Sequence, residues 1–276
     1  MKRLLKRIIN ACLSATFVVV KDEGKRARLL SRVSQLLFDK NNSLEYDAGL
    51  KVFWLKHREN YLFAVKKPYY NFSKKNLYRS IDAIYCKNYQ PKKGDVILDI
   101  GAGIGTETLY FFEKTGGAGK IYSIEASTDS YNRLNALCIK NNIATARNFN
   151  IAISGFNGKI WMEETEHFEV NRINTQQMGI EVDCFTLDRF IKDNAISKVD
   201  FLKVNIEGAE LTMIEGMKEA IQMIDQVAIS CHDFLFKKDK HILNSVVSFL
   251  EQHQFEIFYN ASGDQVTDSW IYGRRR

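Results

Sequence analysis

Val96-Ile-Leu-Asp-Ile-Gly-Ala-Gly-Ile-Gly-Thr-Glu107 is the stretch on which the reading of this chain turns. The run Val96 to Ile100 predicts a buried strand, and glycines at alternate positions (Gly101, Gly103, Gly105) predict a loop feeding a helix. A loop without Cβ atoms turns sharply and lets its backbone sit against a ligand. Glu125 closes the next apolar strand, Lys120 to Ile124, about 20 residues past the loop. A doubly wound sheet sets a carboxylate there against the two hydroxyls of a ribose. The pattern points to a nucleoside-containing cofactor.

Spacing separates the cofactors. The dinucleotide fingerprint G-x-G-x-x-G requires glycine at position 106, where this chain has Thr106. A dinucleotide also needs its pyrophosphate set on bare amides at a helix N-terminus. S-adenosylmethionine carries no phosphate, and its ammonium and sulfonium are cations that suit an acid such as Asp99 at the strand end. Loop, Asp99 and Glu125 together favour S-adenosylmethionine over NAD.

Charge is unevenly spread along the 276 residues. Residues 1–90 hold 19 Lys+Arg against 7 Asp+Glu, whereas 91–276 hold 20 against 26, so the basic character belongs to the N-terminal third. We read two parts: a basic extension of helices and a hairpin over 1–90, and a cofactor domain over 91–276 that begins at Pro91-Lys-Lys-Gly94. Cys12, Cys86, Cys138, Cys184 and Cys231 are widely spaced with no C-x-x-C pair. That argues against a disulfide framework or a zinc cluster and for a reducing, cytoplasmic setting; no metal is expected. Near the N-terminus, Leu4, Leu5, Ile8, Ile9, Cys12 and Leu13 fall at helical spacing opposite Lys2, Arg3, Lys6, Arg7, Asn10 and Ser14. Two readings stay open: a basic amphipathic helix over residues 2–17 in peripheral contact with a membrane, or a helix packed on protein. The run Ile8 to Val20 is too short to span a bilayer, which takes about 20 apolar residues.

Leu29, Leu30, Val33, Leu36 and Leu37 predict a helix over 27–40, and 51–65 predicts a hairpin around His57-Arg-Glu-Asn60. Residues 77–89 predict a helix. Beyond Pro91, strands at 96–100, 120–124, 146–153, 200–205 and 226–231 alternate with helices at 105–114, 128–141, 209–222 and 240–252, and a further strand lies near 158–162. This alternation predicts an α/β fold, a Rossmann-like, doubly wound, mostly parallel seven-stranded sheet. Phe255 to Tyr259 and Trp270 to Tyr272 close it as an antiparallel pair, giving a reversed C-terminal strand.

From about residue 78 to 275 the chain resembles the FkbM-type methyltransferases, a branch of the S-adenosylmethionine-dependent class. Four segments carry the resemblance: Val96 to Gly105, Gly119-Lys-Ile-Tyr-Ser-Ile-Glu-Ala126, Asn150-Ile-Ala-Ile-Ser-Gly-Phe-Asn-Gly158, and Val199-Asp-Phe-Leu-Lys-Val-Asn-Ile-Glu-Gly-Ala-Glu210. Leu187-Asp188 matches a further pair. The resemblance implies that Asp99, Gly101, Gly103 and Gly105 hold the methionine half of the cofactor, that Glu125 takes the ribose, and that Asn150 to Ala152 line the adenine edge. Ala102, Thr106 and Ala126 are also expected among the cofactor-binding residues. Lys203, Asn205 and Glu207 would face the methyl acceptor, which the resemblance makes a hydroxyl, on a sugar or another small polar molecule.

The family usually has aspartate where Asn205 stands, and an amide cannot take a proton from an acceptor. His232, after the fifth strand, and Glu207 are the alternative bases; His232 has an ordinary pKa suited to neutral pH. Glu207 and Glu210 also fit a helix start. Glu163, Glu164 and His167 fall in an irregular stretch and are expected to be solvated. A competing reading is a nucleic-acid methyltransferase, with Tyr69, Tyr70, Phe72 and Tyr78 interleaved among Lys66, Lys67, Lys74, Lys75 and Arg79. A solvated basic face is the favoured alternative, so nucleic acid is not the expected partner. A methyltransferase-like module without catalysis is the third reading.

Overall fold

The computed structural model describes residues 20–163, 172–174, 179–235 and 241–276. The amphipathic segment 2–17, Glu164 and His167 lie outside the described residues, and Glu163 is described only as the last backbone position of a strand. Among the described residues, no helix is long and apolar enough to cross a membrane.

Two compact units divide between Leu77 and Tyr78. In the first, α1 (Glu23–Leu37) starts at Asp22, whose carboxylate accepts from the Lys25 amide at 2.6 Å. Strands β1 (Asn42–Asp47), β2 (Val52–His57) and β3 (Asn60–Val65) form an antiparallel sheet in that order. Val52, Phe53, Trp54 and Leu55 are all buried and supply its core. The hairpin is the one expected; β1 is an added strand. The packed face of α1 differs from the expected one: Ala27, Leu30, Ser31 and Ser34 are buried, while Leu36 and Leu37 are exposed. The reason is polar stitching. Ser31 Oγ accepts from the Leu44 amide at 2.7 Å, and Asn42 Nδ2 donates to Ser34 Oγ at 3.0 Å, which fixes the helix face turned to β1.

The second unit begins inside α2 (Lys74–Ile84), ahead of Pro91. Aromatic packing explains the shift: Tyr78 meets Tyr110 edge-on at 5.1 Å, and Tyr89 stacks on Phe201 at 5.2 Å. Its main sheet is built from β4 (Val96–Ile100), β5 (Lys120–Ile124), β6 (Ala146–Phe149), β11 (Phe201–Val204), β12 (Gln226–Ser230), β13 (Phe255–Tyr259) and β14 (Trp270–Arg275). The order is β13-β14-β12-β11-β4-β5-β6, with β14 antiparallel to both neighbours and β12 through β6 parallel. The seven-stranded, mostly parallel sheet with a reversed C-terminal strand is therefore as the sequence predicts. Helices α3 (Thr106–Lys114), α4 (Thr128–Lys140), α5 (Leu187–Asp193), α6 (Glu210–Glu215) and α7 (His241–Gln252) connect the strands. Leu98, Ile100, Leu202, Val204, Ile229 and Val246 are among the side chains of its core.

Two expected elements are broken. The strand over 146–153 splits into β6 and β7 (Ala152–Ile153), because Asn150 Nδ2 donates to the carbonyls of Glu125 (2.9 Å) and Ala126 (3.0 Å) and holds the chain in a bend. β7 joins β8 (Gly158–Glu163), β9 (Arg172–Asn174) and β10 (Ile180–Phe185) in a second sheet of order β7-β10-β8-β9. The helix over 209–222 stops at Glu215, and Ala220–Met223 is a separate 3-10 turn. Asp188 caps that turn by accepting from the Glu219 and Ala220 amides at 3.0 and 2.7 Å.

The parallel order reverses between β4 and β11. From β4 the chain moves outward through β5 and β6, then crosses back to β11 and β12. Open sheets bind ligands in the crevice at such a switch point, beyond the carboxyl ends of the strands.

Candidate active site

The glycine loop lies at that switch point. Gly101 adopts φ +77°, and a Cβ there would sit 1.9 Å from the Asn205 carbonyl oxygen. Only glycine lets the ends of β4 and β11 approach so closely. Gly105, at φ +89°, precedes α3; a Cβ there would press on Leu134 and Leu137 of α4 at 2.8 and 2.9 Å. The amides of Gly101 and Ala102 both donate to the Ile124 carbonyl, at 2.9 and 3.0 Å, locking the loop to the end of β5.

Glu125 completes this side. One of its oxygens accepts from the Gly103 amide and the other from the Ser127 amide, each at 2.8 Å. Ser127 in turn caps α4. The carboxylate is half-buried, and each oxygen keeps a lone pair beyond the amide it holds. Burial pushes its pKa up, with the Ser127 and Gly103 amides and Lys203 pulling the other way.

Beneath the loop lies a buried ion pair. Lys203 Nζ is 3.0 Å from Asp99 Oδ1 and donates to the Gly101 carbonyl at 2.8 Å, with both side chains almost wholly buried. The two meet as an ion pair, and neither Asp99 oxygen has a further hydrogen-bond partner among the described residues. Burial opposes the ammonium, but Asp99, Glu107 and Glu125 outweigh it and raise the Lys203 pKa. Lys203 therefore does not face an acceptor, contrary to expectation: it supports the loop from below. Its signal in the sequence was ambiguous, because a lysine next to a strand end reads as a pocket residue until its burial is known.

Several other expected contacts are also displaced. Ala102 is fully buried and Thr106 nearly so, which turns their side chains from the loop surface toward the interior. The Asn150 side chain is occupied on both ends, its oxygen accepting from Thr128 Oγ1 at 3.0 Å. Ala152 pairs with Cys184 in the second sheet and packs with Ile160, Met162 and Val182, and Ala126 lies against that cluster. Asn150 and Ala152 thus shape the region beyond the end of β5, where the resemblance sets the adenine edge.

At the ends of β11 and β12 the structure gathers Asn205, Glu207, Glu210 and His232. The Asn205 amide donates to Ile100 at 2.9 Å. His232 Nδ1 is 2.7 Å from Glu210 Oε1, and its Nε2 is 3.5 Å from Glu207 Oε1. Burial opposes the charged imidazole, but the two carboxylates prevail and push its pKa up to about 9. A raised pKa favours the imidazolium, which has no lone pair to take a proton, so the pairing with two carboxylates weighs against His232 as the base. Two groups were missed as site members: Glu210, read as a helix start, and Glu107, in the first turn of α3. Burial pushes the Glu107 carboxyl up, and Lys203 opposes it.

Around the crevice, Asp99, Glu107, Glu125, Glu207 and Glu210 outnumber the cations Lys203 and His232. Burial raises the pKa of Asp99, Glu107 and Glu125, and to the extent these acids are ionised the field favours a cationic ligand over a pyrophosphate.

The family model described as the methyltransferase FkbM domain matches residues 99–257. The hexuronic acid methyltransferase AglP of Haloferax volcanii is 23% identical over 154 residues, 54% of this chain and 61% of that protein, so the match spans less than two thirds of the relative. Among solved structures, methyltransferase FkbM from Methylobacillus flagellatus aligns with a TM-score of 0.48 at 17% identity, covering 68% of this chain and 45% of its own. An S-adenosylmethionine-dependent O-methyltransferase from Thermotoga maritima aligns with a TM-score of 0.41 at 12% identity, covering 74% and 66%. The family match takes in the glycine loop, Glu125 and the Lys203-to-Glu210 segment together, and on that ground the chain belongs to the FkbM methyltransferase family.

Proposed function

We propose that this chain uses S-adenosylmethionine to methylate a hydroxyl on a small polar acceptor, a sugar or a similar molecule. The observation that carries the proposal is Glu125, whose half-buried carboxylate lies on the Gly103 amide at the switch point with lone pairs to accept from a ribose diol. The donor set fits the cofactor in two ways. The Glu125 oxygens keep lone pairs that suit a ribose diol, and the surplus of carboxylates suits a sulfonium and an ammonium. Gly101, Gly103 and Gly105 would hold the methionine half over the Asp99–Lys203 pair, and Glu125 the ribose.

Bound there, S-adenosylmethionine supplies a methyl group whose bond to sulfur breaks, the electron pair leaving on sulfur, as an acceptor oxygen bonds the carbon. The protein's part is alignment, worth roughly 7–11 kcal/mol in favourable cases, and proton removal, worth about 10²–10⁴-fold for an alcohol. Asn205 offers no base, so proton removal belongs to another side chain at the ends of β11 and β12. The hexuronic acid methyltransferase relative supports a sugar as the acceptor class. Of the four aromatics in the nucleic-acid reading, Tyr70 and Phe72 are buried, which favours the small acceptor, while Tyr69 is exposed.

The test is incubation with isotope-labelled cofactor and a panel of sugars, glycolipids and RNAs, read by mass spectrometry. Label appearing on a sugar hydroxyl is the expected result. Transfer to RNA alone would overturn the acceptor class, and absence of cofactor binding would overturn the whole reading.

A further inference from the structure

The cluster at the ends of β11 and β12 is organised in depth. The Glu210 side chain is fully buried, that of His232 nearly so, and that of Glu207 keeps 18% of its surface exposed. Of these three, Glu207 is the one that keeps solvent contact. Its backbone is held at φ +52°, uncommon for a residue with a Cβ, and Gly208 follows at φ +103°. Those two positive angles make the turn between β11 and α6, from which Glu207 meets His232.

Glu210 anchors the other end. Its Oε1 takes His232 Nδ1 and also accepts from the Gly208 amide at 3.3 Å, while its Oε2 has no hydrogen-bond partner among the described residues. A buried carboxylate with a bare oxygen is costly unless a cation lies beside it. His232 is that cation. The groups facing the ring are few: Glu207 and Glu210 from the turn, Ser230 Oγ at 3.4 Å from Nε2, and the Phe234 ring at 5.5 Å. Ser269, just before β14, reaches only Ser230, at 3.3 Å. Cys231 and Asp233 flank the histidine, and the Asp233 carboxylate is engaged by the Ile242 and Leu243 amides.

We propose that His232 is a positioning residue, an imidazolium that fixes the Glu207 carboxylate toward the acceptor, and that Glu207 takes the proton of the acceptor hydroxyl. This rests on the methyltransferase reading above. As the acceptor oxygen bonds the methyl carbon and the old bond's electron pair leaves on sulfur, the hydroxyl proton passes to a Glu207 oxygen. His232 keeps its own proton throughout and stays paired with Glu210.

The experiment is an NMR titration of the full chain with isotope-labelled histidine, in the wild type, Glu207→Gln and Glu210→Gln. The wild-type His232 midpoint is expected near 9, and each variant should lower it by about one unit or more, as loss of a neighbouring opposite charge does. Should Glu210→Gln fail to fold, the partly exposed Glu207→Gln carries the test. A wild-type midpoint near the ordinary 6.5, or a midpoint unmoved by Glu207→Gln, would overturn the proposal. Calorimetry with S-adenosylmethionine on the same samples separates the two failures: absent binding beside an intact His232 titration would sink the methyltransferase reading and not the pairing.

Discussion

The two sides of the switch point are built by different means. On the β4–β5 side the backbone does the work: Gly101 against Asn205, the Gly101 and Ala102 amides on Ile124, and the Gly103 amide on Glu125. On the β11–β12 side, side-chain charge does it, with His232 held between Glu207 and Glu210. The contrast teaches where each half is vulnerable. Steric additions should disable the first, and proton gain or loss should disturb the second.

The sharpest challenge crosses both sides at the Lys203–Asp99 pair. Lys203→Met should cost about 3–5 kcal/mol by leaving Asp99 charged and unpaired in the interior, read as a lower midpoint in urea unfolding. A nearly unchanged midpoint would show that Asp99 is neutral in the fold. Gly101→Ala comes next. A Cβ at φ +77° placed 1.9 Å from the Asn205 carbonyl should cost roughly 2–4 kcal/mol and abolish cofactor binding. Retained binding would show that the β4 and β11 ends separate freely.

On the charged side, the folded protein holds a proton on His232 up to pH about 9, whereas the unfolded chain gives it up near 6.5. The stabilisation is thus complete below pH 6.5 and is lost as pH rises through 9, by up to about 3 kcal/mol. Urea unfolding at a series of pH values should show this decline, and His232→Gln should flatten it. A decline of equal slope in the variant would place its origin elsewhere. The smallest effect is expected at Asn150→Ala, which removes the donors to Glu125 and Ala126 and should cost about 1–2 kcal/mol in the same assay.

The same contrast explains what could be read in advance. The strand at 96–100, the glycine loop and Glu125 announce themselves, because a close backbone approach admits no residue but glycine and the period of a buried strand is local. The β10 strand carried an equally local signal, Val182 and Cys184 alternating with Glu181 and Asp183, yet stood outside the sequence reading, which expected an irregular stretch up to Gly179 and named no strand after it. Lys203 and His232 could not be assigned from sequence. Whether a lysine at a strand end points into a cleft or under a loop depends on packing partners far along the chain. The break at Asn150 has the same origin, since its partners lie on β5 and just beyond it.

Calorimetric titration with S-adenosylmethionine, comparing the wild type with Glu125→Ala, tests the central claim most directly. The account predicts stoichiometric binding to the wild type and a loss of about 1.5–3 kcal/mol in the variant, the worth of a hydrogen bond to a charged group, with the unfolding transition still cooperative. Equal affinities, or no binding to the wild type, would contradict it.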